Sequence, residues 1–234
     1  MLGVMIPFAL FCGSIPFGLL IARWKGVDIR AHGSGNIGAT NVGRVLGRKW
    51  GLVCFALDVF KGFVPTMAAG FVAGLVGRFG MSWGEAGLWL AVMVAAVLGH
   101  VFCPWLKFKG GKGVATGLGA MLGVFPAMAL PAVVSMVVWG MVFRLSRTVS
   151  VASLAAALLM PALVVGEFAA WSAGVMSDGT PRAERSMMGA LPFVAVSVAL
   201  AGLVVYTHRE NIARLRAGRE LKFGGKAPTS GSVR

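Results

Sequence analysis

The chain has 234 residues, 57% of them hydrophobic and only 13% charged, with a formal net charge of +14 at pH 7. Soluble domains carry about 25% charged residues, so the composition excludes an ordinary water-soluble fold and indicates an integral membrane protein. The positive balance invites a nucleic-acid partner. In a polytopic protein, however, basic residues gather in loops facing anionic lipid, and no nucleic-acid partner is expected.

The first apolar run covers residues 1–22. It has neither a basic leader nor a small-residue cleavage site, so it reads as a membrane helix rather than a signal peptide. Pro16, inside Gly13-Ser-Ile-Pro-Phe-Gly18, breaks it near its end. A polar loop, 23–50, leads to run two, 51–77, which carries Asp58 and Lys61 on one helix face. Such ionisable residues cost about 2.5–3.5 kcal/mol each to insert and are usually paired and turned inward. The pair is either a structural ion pair or a support for an anion site. Run three, 84–106, contains His100, expected to be a hydrogen-bonded structural residue.

Residues 113–143 are apolar, with Pro126 and Pro131 in the middle. That is too long for one straight span and short for two, so a bent hairpin is expected, with helices near 113–124 and 127–143. A short basic loop, 144–150, precedes run six, 149–172, which bears Glu167. A polar loop, 173–187, and run seven, 188–206, complete the apolar series. Residues 1–223 are read as a single membrane domain and 224–234 as a disordered tail. Three cysteines, Cys12, Cys54 and Cys103, form neither a disulfide framework nor a metal-ligand spacing.

Lys and Arg number 18 in loops 23–50, 103–112 and 143–149 plus the tail, against three in loops 77–85 and 173–187. The positive-inside rule places the first set in the cytoplasm. The expectation is an all-α protein with seven transmembrane helices, N-terminus outside and C-terminus cytoplasmic. Four short stretches then face one compartment: 30–44, 107–116, 144–153 and 206–220. The first holds Gly33, Gly35, Gly38, Gly43, Ser34, Asn36, Thr40, Asn41 and Arg44. Glycines let backbone N–H groups converge, short polar side chains add donors, and Arg adds a charged fork, a set that suits phosphate. The second, Lys107-Phe-Lys-Gly-Gly-Lys-Gly-Val-Ala-Thr116, is a glycine-rich turn opening a helix, a ready anion site. It is not a Walker A motif, since Gly113 follows Lys112. If the four converge, they form a basic cavity floored by apolar helices, suited to a reaction between a phosphorylated molecule and a lipidic one.

Several strings together resemble the acyl-phosphate-dependent glycerol-3-phosphate acyltransferases of bacterial inner membranes, the PlsY family. They are Gly13-Ser-Ile-Pro-Phe-Gly18, Gly33-Ser-Gly-Asn-Ile-Gly-Ala-Thr-Asn41, Asp58 with Lys61-Gly62, Gly99-His100, Phe108-Lys-Gly-Gly-Lys-Gly-Val-Ala-Thr116 and His208-Arg-Glu-Asn-Ile212. The resemblance implies a seven-helix multi-pass enzyme of the bacterial inner membrane, with its active site on the cytoplasmic side. It would move a fatty acyl group from acyl phosphate to the 1-hydroxyl of glycerol 3-phosphate, giving lysophosphatidic acid and phosphate, the first step of bacterial phospholipid synthesis. Ser34, Arg44, His208 and Asn211 are implied as catalytic, Gly110, Gly111, Lys112 and Gly113 as a phosphate loop, and Glu220 or Glu210 as structural support.

On chemical grounds Ser34, Asn36, Thr40 and Asn41 suit the donor's phosphate, Arg44, Lys112 and Ser150 that of glycerol 3-phosphate, and Gly38 a substrate phosphate. Lys61, partnered by Asp58, suits either. The expected partners are glycerol 3-phosphate, acyl phosphate and membrane lipid. No metal or organic cofactor is expected, and the chain is expected to work as a monomer. Two readings compete. A transporter of a phosphorylated solute would place polar groups at the midplane in paired broken helices. An acyltransferase of the His-x4-Asp class lacks its signature here, because Ile37, Trp105 and Ala213 stand five residues after His32, His100 and His208.

Overall fold

A computed structural model describes residues 2–222, and the 224–234 tail lies outside the described residues. Helix α1 (Leu2–Ser14) stops where Pro16 removes an N–H and pushes Ile15 out of the helical region. The chain resumes as α2 (Phe17–Trp24). A break inside a membrane leaves carbonyls that water cannot reach. Here other segments supply the donors: Lys61 Nζ reaches Ile15 O at 2.7 Å and Cys103 Sγ reaches Ser14 O at 3.1 Å.

The remaining helices are α3 (Ala39–Leu46), α4 (Arg48–Ala73), α5 (Trp83–Val101), α6 (Val114–Gly123), α7 (Ala129–Ser146), α8 (Val149–Ser172), α9 (Leu191–Thr207) and α10 (Arg209–Arg216). The described protein is all-helical. Six segments are long and apolar enough to cross a bilayer: Leu2–Trp24, Arg48–Ala73, Trp83–Leu106, Ala129–Ser146, Val149–Ser172 and Met187–Thr207. Outward side chains on them are apolar, among them Phe8, Phe60, Val137, Leu158 and Val198. Where the sequence reads seven runs, the short one is α6. Its 10 residues extend about 15 Å at 1.5 Å each, half a hydrocarbon core.

Glycine contacts explain why α6 can be short. A Cβ on Gly62 of α4 would run into Thr116 O, and one on Gly119 of α6 would run into Val59 O. The two helices therefore touch backbone to backbone, as small residues permit in membranes. Thr116 in the first turn of α6 sits level with Gly62, about fourteen residues into α4, or roughly 21 Å along its axis. The glycine-rich loop thus descends into the bundle before α6 begins.

The hairpin expected over 113–143 is present as α6 and α7, joined through Pro126. Two stretches read as loop and tail contain helices, α3 within 23–50 and α10 within 206–220. The polar loop 173–187 is an organised knob. Asp178 accepts from Phe79 N, Gly80 N, Trp171 Nε1 and Thr180 N at 2.7–3.1 Å. Arg185 donates to Thr180 O, Trp171 O, Met176 O and Ser177 Oγ. Gly77 N donates to Phe125 O at 3.0 Å. Segments 74–82, 124–128 and 173–187 therefore meet at one end of the bundle, and the four basic stretches lie at the other.

Candidate active site

Asn41, 1% exposed, organises the first stretch. Its Nδ2 reaches Ile29 O, His32 O and Asn36 O at 2.9–3.2 Å, and its Oδ1 accepts from Ser34 N at 2.8 Å. Asn36 Oδ1 accepts from Gly38 N at 2.9 Å, an Asx-type turn into α3. Asn41 therefore faces the loop's own backbone, not a space a phosphate could occupy. The Ser34 and Thr40 hydroxyls have no hydrogen-bond partner among the described residues. Arg30 Nη2 donates to Lys109 O at 3.1 Å and ties this loop to the glycine-rich one.

The glycine-rich loop is pinned to the end of α5. Gly110 N donates to Val101 O at 3.0 Å and Gly111 N to His100 O at 3.1 Å. These glycines serve close approach, since a Cβ on Gly110 would meet the His100 carbonyl and one on Gly111 the His100 ring. Their N–H groups, expected to face phosphate, are engaged by α5 carbonyls that a helix end leaves without partners. Gly113, at φ +81°, turns the chain into α6. The first N–H groups of α6, from Val114 on, have no acceptor within the helix and carry its positive dipole end.

Glu220 is the centre of the cluster. Its Oε1 accepts from Ser150 Oγ at 2.8 Å and from Asn211 Nδ2, and its Oε2 pairs with Arg214 Nε at 2.8 Å. Lys112 Nζ donates to Asn211 Oδ1, and Thr207 Oγ1 to Lys112 O at 3.2 Å. Arg44 Nη2 donates to Leu221 O at 3.2 Å. All four basic stretches are thus tied together. Burial pushes Lys112 down to about 8, with Glu220 opposing and Arg214 and Arg44 adding to the shift. Burial also lowers Arg44, again against Glu220. Burial would raise the Glu220 carboxyl, but donors from Asn211, Arg214 and Ser150 outweigh it and hold it below its usual value. Among the described residues Lys112, Arg44 and Arg214 therefore surround Glu220, with exposed Glu210 adding a smaller negative contribution at Lys112, and a local excess of positive charge is left.

His208 is 2% exposed at the end of α9. Its Nδ1 lies 2.8 Å from Val204 O. A carbonyl only accepts, so Nδ1 carries the proton and Nε2 keeps its lone pair. Burial, then Lys112, pushes the imidazole down to about 4, so the ring is neutral at physiological pH. Glu210 is exposed and makes no side-chain hydrogen bond among the described residues; Glu220 is the carboxylate that holds the cluster. Lys61 and Asp58 lie apart from it, buried and 2.7 Å from each other. Sequence reasoning missed Arg214, Thr207 and the Leu221 carbonyl, which no motif marks.

A family model described as glycerol-3-phosphate acyltransferase matches residues 3–218. The chain belongs to this family. Glycerol-3-phosphate acyltransferases of Aquifex aeolicus and Geotalea daltonii are 40% and 41% identical to it, over 94% of this chain and 97% and 96% of their own lengths. Among solved structures it resembles PlsY (YgiH), an integral membrane glycerol 3-phosphate acyltransferase, in its glycerol 3-phosphate form. There the TM-score is 0.74 and the identity 37%, over 95% of this chain and 96% of that one. The lysophosphatidic acid form of PlsY matches with a TM-score of 0.72 and 36% identity, over 95% of each chain.

Proposed function

We propose that this glycerol-3-phosphate acyltransferase takes its acyl group from an acyl phosphate and reacts at the cluster around Glu220. The observation that carries the reading is the excess of cations there, Lys112 and Arg44 above all, beside the N-terminus of α6. Lys112, Arg44, Ser150 and the first N–H groups of α6 hold the phosphate of glycerol 3-phosphate. Ser34, Asn36, Gly38 and Thr40 flank the donor's phosphate. Asn41 shapes that loop, Asn211 and Glu220 aim Lys112, and Asp58 with Lys61 supports the break between α1 and α2.

The 1-hydroxyl oxygen attacks the donor's carbonyl carbon. The carbonyl–phosphate bond then breaks, and inorganic phosphate leaves beside lysophosphatidate. A base whose conjugate acid has a pKa of about 4 is too weak to take the hydroxyl proton efficiently. A phosphate oxygen of the donor therefore takes the 1-hydroxyl proton and carries it away, while His208 Nε2 orients glycerol 3-phosphate by accepting from its 2-hydroxyl. Phosphate is already a good leaving group, so orientation and fixed charge supply the catalysis, and the chain works without metal or organic cofactor.

The chain is a single domain that acts as a monomer in the bacterial inner membrane. We read seven crossings, with α6 completing the distance below the recessed loop, the N-terminus outside and the site cytoplasmic. The 18-to-three bias of Lys and Arg supports this, and side-specific cysteine labelling at positions 36 and 180 is its test. For the reaction, purified protein is incubated with glycerol 3-phosphate and either palmitoyl phosphate or palmitoyl-CoA, with EDTA. Lysophosphatidate and equimolar phosphate should form from palmitoyl phosphate alone, undiminished by EDTA. Equal or better use of palmitoyl-CoA, or arrest by EDTA, would sink the donor assignment.

A further inference from the structure

His100 belongs to none of the roles above, yet it lies directly under the glycine-rich loop. It is 5% exposed, on the last turn of α5. A methyl group at Gly111 would sit 2.7 Å from His100 Cε1 and nearer still to Nε2, inside any tolerated contact. On its other edge, Nδ1 is 3.9 Å from Asp58 Oδ1. Asp58 is itself fixed, because Lys61 Nζ lies 2.7 Å away, donates to Ile15 O at 2.7 Å, and Cys54 Sγ reaches Asp58 Oδ2 at 3.7 Å. Cys54, Asp58, Lys61 and His100 are all buried. The ring is flanked by Asp58 on one edge and by the loop on the other.

We propose that His100 is a positioning residue: its imidazole, wedged between Asp58 and Gly111, sets the height of the glycine-rich loop and with it the place of the glycerol phosphate. The loop's backbone is pinned to the His100 and Val101 carbonyls, which fixes where it crosses α5. The ring edge fixes how far Lys112 and the start of α6 stand above that crossing. The consequence for glycerol 3-phosphate rests on the reading that this loop holds its phosphate.

The contact predicts a suppression. Gly111→Ala should raise the KM for glycerol 3-phosphate at least tenfold, with a smaller fall in kcat, by driving a methyl against the ring. His100→Asn keeps atoms beside Asp58 but removes the Nε2–Cε1 edge, and should raise that KM severalfold. The double variant should return to the His100→Asn value or better. Gly110→Ala is the control: its methyl meets the His100 carbonyl, which no side-chain change removes, so His100→Asn should not rescue it. His100→Ala repeats the test if the Asn variant fails to fold. A double variant whose KM rises by the product of the two single effects would overturn the wedge. Rescue confined to the acyl-phosphate KM would keep the wedge and overturn the assignment of this loop to glycerol 3-phosphate.

Discussion

The two ends of the bundle are each built around one carboxylate, and they differ in what they leave over. At the distal end Asp178 accepts four hydrogen bonds, and the donors of Arg185 close on three carbonyls and a hydroxyl. Formal charge balances within the knob, Asp178 and Glu184 against Arg182 and Arg185. At the other end Glu220 accepts from Ser150, Asn211 and Arg214, but Lys112 and Arg44 add two further cations with single protein acceptors. Similar chemistry thus builds a closed clasp in one place and, on our proposal, an anion site in the other. The difference lies in the unmatched positive charge, not in the number of hydrogen bonds.

Removing the hub should have the largest effect. Glu220→Ala frees Ser150, Asn211 and Arg214 at once and leaves Lys112 without its aim. We expect kcat/KM for glycerol 3-phosphate to fall on the order of a hundredfold or more, the scale of losing a preorganised donor set. Steady-state assay of purified variant checks it, and a loss below about threefold would mean that the cluster is not the site.

The pH profile sharpens the comparison. The kcat/KM value reports groups of the free enzyme. Lys112, lowered to about 8, is charged below that pH, so activity should decline as pH rises through it. Lys112→Arg, which stays charged, should lack that alkaline limb. His208, lowered to about 4, is neutral above that value. His208 should therefore contribute no acid limb near the usual imidazole value of about 6.5; a limb there from the phosphate of glycerol 3-phosphate, whose second pKa is about 6, should persist in His208→Asn. An acid limb near 6.5 that disappears in His208→Asn would assign His208 to proton transfer.

The smallest effect on catalysis is expected at the distal clasp. Asp178→Ala strands four donors, which should lower stability by about 1–3 kcal/mol per group left buried and unpaired and lower Tm, while kcat/KM stays within about twofold. Burial would raise the Asp178 carboxyl, but its donors hold it far below its usual value. Its contribution is therefore full above the unfolded carboxyl value of about 3.9 and is lost as pH falls through the depressed folded value. At neutral pH the wild-type clasp is intact, and thermal denaturation there reads the whole effect.

Much of this was legible in the sequence, and the exceptions have physical reasons. The distribution of Lys and Arg brought 30–44, 107–116, 144–153 and 206–220 to one end, and Pro126 marked the α6–α7 hairpin. The backbone bonds of Asn41 are not legible, because a short amide looks the same in sequence whether it bonds phosphate or backbone; its acceptors lie 5 to 12 residues away. Gly110 and Gly111 looked like phosphate donors because nothing local reveals that α5 carbonyls take their N–H groups. Helix α3 is hidden in the sequence because Thr40, Asn41, Val42 and Gly43 are weak helix formers. Arg214 was one of several tail arginines, and only the fold places it on Glu220.

The central claim is that unmatched positive charge at Lys112 receives the phosphate of glycerol 3-phosphate. Calorimetric titration of glycerol 3-phosphate into purified wild type and Lys112→Met at pH 7 tests it most directly. Loss of one buried charge-assisted contact of about 1.5–3 kcal/mol should weaken Kd by roughly ten- to hundredfold, with Tm changed little. An unchanged Kd in a folded variant would contradict the account.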